Sequence, residues 1–181
     1  MSDREFGKKE AEAHDLDLFL REHLRITGIV TRSVCPRERP DFEVAREDGT
    51  FGLELTQVVE SPDEHFAREV LSGRDEMRVA DASDTIQEAI YQKEEKRKSR
   101  DWGFPMSTIL VVQLRGCSGE DVFRYWDDTI IEEVSATGFV EIWLCDHSPV
   151  EPYGTVKLTG VKPIFWLGVH PHPRRGSKPY G

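Results

Sequence analysis

Residues Thr108 to Leu114 read Thr-Ile-Leu-Val-Val-Gln-Leu, an almost unbroken apolar stretch of strand length. A strand with water on one face alternates apolar and polar residues, so a continuous run of this kind needs cover on both faces. Downstream, Gly119 to Ser135 sets Val122, Tyr125, Trp126, Ile130 and Val134 at helical spacing, and Phe139 to Cys145 repeats the buried-strand pattern. Two buried strands joined through a helix are parallel neighbours, because a parallel pair needs a crossover of about a dozen residues or more. The run therefore predicts an α/β chain: a mixed central sheet flanked by helices.

The N-terminal half supplies the other elements. Residues 9 to 26 carry Ala13, Leu16, Phe19, Leu20 and Leu24 at helical spacing, which predicts an amphipathic helix ending near Gly28. Residues 29 to 40 contain Cys35-Pro36 and Arg39-Pro40, and each proline disfavours helix in the residue before it, so an irregular approach to a strand is expected. Phe42 to Arg46 and Thr50 to Val59 then form a hairpin pattern, with Asp48-Gly49 as the expected turn. In the second strand, Leu53 and Leu55 share one face while Glu54 and Thr56 share the other. Residues 60 to 83 give a weak helical signal around Glu64 to Leu71. A stronger helix covers 84 to 99, with Asp84 as its cap and Ile86, Ala89 and Ile90 as its apolar face. Lys93 and Arg97 continue that stripe, whereas Lys98 points away from it. Val156 to Leu158 and Ile164 to Leu167 read as short edge strands.

With 181 residues the chain is long enough for one domain with its own core, read here as spanning 1 to 181 with 1–8 and 170–181 as flexible tails. No apolar run approaches the roughly 20 residues that span a bilayer, and Met1 to Glu10 lacks a signal-peptide pattern, so a cytoplasmic protein without a membrane partner is expected. Cys35, Cys117 and Cys145 lack the paired spacing of a zinc or redox motif and read as reduced thiols, two of them in strand cores. The net charge of −10 opposes non-specific coating of nucleic acid. Two local reversals of sign, Lys93 to Arg100 and Arg174 to Lys178, leave room for phosphate contacts.

Asp41 and Glu54 stand on the two neighbouring hairpin segments, where two carboxylates can hold a hard divalent cation such as Mg²⁺ or Mn²⁺. Such an ion neutralises charge on a phosphodiester and lowers the pKa of bound water. Each acid taken singly is more often a turn residue or a solvated strand residue. The stretches Arg39-Pro40-Asp41-Phe42 and Gly52-Leu53-Glu54-Leu55-Thr56, set in this order of elements, resemble the PD-(D/E)XK nuclease superfamily in its divergent form. The resemblance covers about residues 9 to 146. It implies a restriction-endonuclease-like core of αβββαβ-type order, and a metal-dependent nuclease-like hydrolase acting on nucleic acid, with Asp41 and Glu54 as metal ligands. Thr56 stands where the usual motif has lysine and carries no positive charge for the attacked phosphate. The superfamily sometimes supplies that lysine from the following helix, which points to Lys93. Its first helix often supplies an acid, which points to Glu12 as an outer metal ligand.

Gln57 and Gln113 are weaker candidates, and His23 reads as a core histidine. His170 and His172 lack a third ligand at recognisable spacing and sit with Arg174 and Arg175 in a polar tail. Of the tryptophans, Trp126 and Trp143 lie in core patterns, leaving Trp102 and Trp166 as candidates for stacking on bases. The rival reading is a catalytically inactive nuclease-fold module with a binding or regulatory role, favoured by Thr56 and by the acidic charge. A small-molecule pocket is a third, although no Gly-rich phosphate loop, nucleophile elbow or zinc signature is present. Homodimerisation stays open.

Overall fold

In the computed structural model, which describes residues 3–59, 75–149 and 154–162, the apolar run is strand β4 (Thr108–Arg115), buried at every position but Arg115. It lies between β3 (Gly49–Val59) and β5 (Glu141–Asp146) and is parallel to both. Outside β3, β2 (Phe42–Arg46) and then β1 (Thr31–Pro36) add antiparallel strands. Outside β5 lies β6 (Lys157–Lys162), also antiparallel, so the six strands run in sequence order across the sheet.

Alternation along the strands sorts the core into two layers. Leu53, Leu55, Ile109, Val111, Trp143 and Cys145 face helix α1 (Asp3–Thr27) through its Leu16 and Phe19. Leu110, Val112, Leu114, Ile142 and Leu144 face the opposite way, onto Ile86 and Ile90 of α2 (Asp75–Arg97). Val122 of α3 (Gly119–Tyr125) and Val134 of α4 (Asp128–Ser135) complete that second layer. Each such aliphatic side chain stabilises the fold by about 1.5–3 kcal/mol relative to exposure. The protein is thus an α/β fold with a six-stranded mixed sheet flanked by helices. No helix among the described residues is long and apolar enough to cross a membrane.

Several local readings are corrected by this arrangement. Residues 31–36, expected to be irregular, form the edge strand β1, whose register with β2 supplies the order that burial does not. Pro36 closes that strand, where a missing N–H is tolerated. The hairpin turn is Glu47-Asp48, one residue earlier than expected, since Arg46 pairs with Gly49; Gly49 has φ 148°, a backbone open to glycine. Asp84 lies inside α2 rather than capping it, because the apolar stripe extends upstream through Ala82, and buried Ser83 accepts a hydrogen bond from Trp126 Nε1 at 2.8 Å. The single helix expected over 119–135 is two. Buried Trp126 takes an extended backbone, and Asp127 restarts the helix by accepting from the Ile130 amide at 2.9 Å.

On α1 the buried stripe is rotated from the expected one. Ala13 and Leu24 are exposed, whereas Asp15 and Leu18 are buried; His23 is buried as expected. Gly28 ends the helix at φ 73°, its amide bonded to the Leu24 carbonyl at 2.8 Å. The helix begins at Asp3, within the stretch read as a tail. The readings at Glu64 to Leu71, Ile164 to Leu167 and 170–181 lie outside the described residues.

Candidate active site

Asp41 sits where β2 leaves the sheet. The last pair of the β2–β3 ladder is Phe42 with Leu53, while β3 continues to Val59. Beyond that pair the Leu55 amide donates to Asp41 Oδ2 at 2.9 Å, and the Asp41 amide donates to Glu54 Oε2 at 3.2 Å. The Asp41 amide thus holds the Glu54 carboxylate, while the Asp41 carboxylate is held by the next residue of β3, which keeps the two acids side by side. Gly52 makes this approach possible, because a Cβ there would lie 2.4 Å from Pro40 Cγ and 3.0 Å from Phe104 Cβ. The Arg37 amide bonds the Asp41 carbonyl at 2.7 Å and the Gly103 amide bonds the Arg39 carbonyl at 3.1 Å, which fixes the loop on both sides.

Glu54 points to the α2 face because Leu53 and Leu55 occupy the other, and it is 5% exposed. A carboxylate at that depth needs a partner. Lys93, two turns beyond Ile86 on the inward stripe of α2, donates from Nζ to Glu54 Oε1. Thr56 follows Glu54 on the same face, half-buried and in register with Val112. Asp41, Glu54 and Lys93 of the expected quartet are thus brought together, with Thr56 next along the same face of β3.

Burial drives the Asp41 carboxyl up to about 6 from an ordinary 3.8, and the negative charges of Glu54 and Glu12 push it the same way; the Leu55 amide and Lys93 pull against them. Glu12, half-buried on α1, is therefore near enough to act on Asp41 by charge. It does not complete a ligand trio: among the described residues no group of three or more His, Cys, Asp or Glu side chains is placed to hold a metal ion. The pair itself fits a hard divalent cation. Its donors are carboxylate oxygens, and their mutual repulsion, visible at Asp41, is what such an ion relieves, with water filling the other positions.

A cavity of about 310 Å³ opens onto Glu54, lined by Glu38, Arg39, Glu54, Lys93, Lys96, Ser99 and Trp102, with Asp41 behind Glu54 and outside the lining. Lys96, one turn beyond Lys93, belongs to the basic stretch that the sequence left open to phosphate contacts; Arg39 was not singled out as a site residue, although it precedes Pro40-Asp41. Trp102, a stacking candidate, is a core residue at 6% exposed and donates from Nε1 to Thr108 Oγ1 at 2.9 Å. Arg97 continues the α2 stripe as expected but is buried against Glu94 and the Phe139 ring, away from the cavity lining.

Gln57 and Gln113 pair in register, on the α1 side of the sheet and opposite Glu54. His23 is a core residue, 2% exposed, with Nε2 3.2 Å from Glu141 Oε2 and its ring between Phe19 and Trp143. At the end of β5, His147 has Nε2 3.6 Å from Cys145 Sγ and Nδ1 3.7 Å from Asp15 Oδ1. This is the residue set of a cysteine nucleophile, but Cys145 is fully buried and burial pushes its thiol far up, so neither access nor thiolate is available. All three cysteines are thiols, and Cys145 alone is a buried strand residue; Cys35 is exposed on β1 and Cys117 half-buried after β4. His170, His172, Arg174, Arg175 and Trp166 lie outside the described residues.

Comparison of the chain with models of known families, with curated proteins and with solved structures finds no match.

Proposed function

We propose that this protein is a metal-dependent phosphodiester hydrolase acting on nucleic acid, with a core of restriction-endonuclease type. The observation that carries the reading is the Asp41–Glu54 pair, held by backbone amides of Asp41 and Leu55, with Glu54 lining a cavity and paired to Lys93 from α2. Asp41 and Glu54 would hold Mg²⁺ or Mn²⁺, which when bound supplies charge neutralisation and a water of lowered pKa. Lys93 places a fixed positive charge beside the pair, where the phosphoryl oxygens of a bound diester gather negative charge in the transition state. Thr56 is a neutral neighbour on the same strand face. The three reduced thiols suit a reducing compartment such as the cytoplasm.

The test is a thermal melt with increasing Mn²⁺ or Mg²⁺, alongside hydrolysis of DNA and RNA substrates in the same ions. A ligand at a hundredfold its Kd stabilises the native state by about 2.7 kcal/mol, roughly 5–10 °C in a chain of this size. The shift and the hydrolysis are both expected in the natural protein and absent from Asp41→Asn and Glu54→Gln. A melting shift without hydrolysis of either polymer would instead favour a binding module on the same fold. If the ions leave the melting temperature unchanged, the metal site is refuted.

A further inference from the structure

The cavity beside Glu54 narrows the substrate beyond "nucleic acid". Its volume of about 310 Å³ is at the lower end for small-ligand sites, room for about one nucleotide unit and far too little for a duplex. Glu54, which marks the chemistry, is 5% exposed and lies in the lining. A duplex keeps each nucleotide stacked and paired with its neighbours, whereas a single strand can turn one nucleotide into a cavity of this size. The lining carries three cations, Arg39, Lys93 and Lys96, against two carboxylates, Glu38 and Glu54. That is a local reversal of sign in a chain of net charge −10, whose long-range field repels the denser charge of a duplex more strongly.

The three cations are not equivalent. Lys93 is occupied by Glu54. Lys96 is exposed and makes no ion pair among the described residues. Arg39 meets Asp101 at 3.5 Å with both side chains mostly exposed, a pairing of little strength. Two cations at one mouth are therefore left to meet an anion. We infer that the cavity takes single-stranded nucleic acid one nucleotide at a time, with Arg39 and Lys96 gripping the backbone phosphates that flank the one over Glu54. This rests on the phosphodiesterase reading of the site.

The experiment measures fluorescence anisotropy of labelled single-stranded 20-mers, DNA and RNA, against a hairpin duplex. Binding is read in Ca²⁺, which occupies hard oxygen ligands, and hydrolysis is scored separately in Mg²⁺ and Mn²⁺. The single strand is expected to bind at least tenfold tighter than the duplex. Arg39→Gln/Lys96→Gln is expected to weaken single-strand binding at least tenfold. It should also flatten the slope of log K against log salt by about 1.4, since each single-strand phosphate contact contributes about 0.7. Lys98→Gln, whose lysine pairs with Glu95 outside the cavity lining, is expected to change neither. Both substituted cations are exposed, so the melting temperature serves as the control for folding. Equal or tighter duplex binding, or the same loss in Lys98→Gln as in the double variant, overturns the inference. Hydrolysis with no single-strand preference overturns it too while leaving the hydrolase standing. Single-strand binding without hydrolysis supports the cavity and removes the hydrolase.

Discussion

Replacing Glu141 by glutamine probes the brace that holds α1 against the sheet. Glu141 opens β5 at 6% exposed, accepts from Arg46 at 2.6 Å and from Trp143 Nε1 at 2.8 Å, and faces His23 Nε2 at 3.2 Å. Burial by itself raises a carboxyl; here His23, Arg46 and Trp143 outweigh it and bring Glu141 down to about 2 from an ordinary 4.5. That displacement corresponds to about 3 kcal/mol favouring the carboxylate in the folded chain. Because the folded value is the lower one, the contribution is complete above about pH 4.5 and is lost as pH falls toward 2. Glu141→Gln should therefore lose about 3 kcal/mol at pH 7, within the range found for breaking buried charge pairs. Arg46 retains Asp48 at 2.7 Å, which keeps the loss from growing larger. Urea unfolding followed by tryptophan fluorescence measures the gap between the two proteins. The gap should be constant from pH 7 to 5 and then close by about 1.4 kcal/mol per pH unit below 4.5. A glutamine variant as stable as the natural protein at pH 7, or a gap that persists undiminished at pH 3, refutes the reasoning.

Two further outcomes concern the site. Lys93→Met leaves Glu54 buried without its cation, and hydrolysis in Mn²⁺ should fall by 10² or more, read in kcat rather than KM if the lysine acts on the transition state. Gly52→Ala puts a methyl group 2.4 Å from Pro40 Cγ, so Pro40 and Asp41 must move. A loss of about 1–3 kcal/mol is expected in urea unfolding, together with a weakened Mn²⁺ shift; an unchanged Mn²⁺ response would show that Asp41 does not depend on this contact.

The class of fold and the face that carries Glu54 were legible because both depend on local periodicity. A run such as Thr108 to Leu114 can be satisfied by little except a strand covered twice, and the Leu53-Glu54-Leu55 alternation assigns Glu54 to the face opposite the leucines whatever the rest of the chain does. Helical spacing likewise carried Lys93 round to the inward stripe of α2. What failed depended on partners distant in sequence. Strand β1 is nearly all exposed and is ordered by pairing with β2. The break at Trp126 follows from that side chain's burial and its bond to Ser83, 43 positions away. The helix-to-sheet contact that buries Asp15 rotates α1 from its apolar stripe, because that carboxylate finds a partner in Arg115 that a periodicity count does not see.

By itself, then, the order of residues determined which side chains can share a face, since backbone geometry repeats every two or 3.6 residues independently of context. Tertiary structure alone decided which faces meet: that Pro40 rests on Gly52, that Asp41 bonds to Glu54 and Leu55 of β3, and that Arg39 and Lys96 border one cavity. The physical reason is that these contacts join segments up to 57 residues apart, from Arg39 to Lys96, and packing of the whole sheet against its helices is what sets the distance between them.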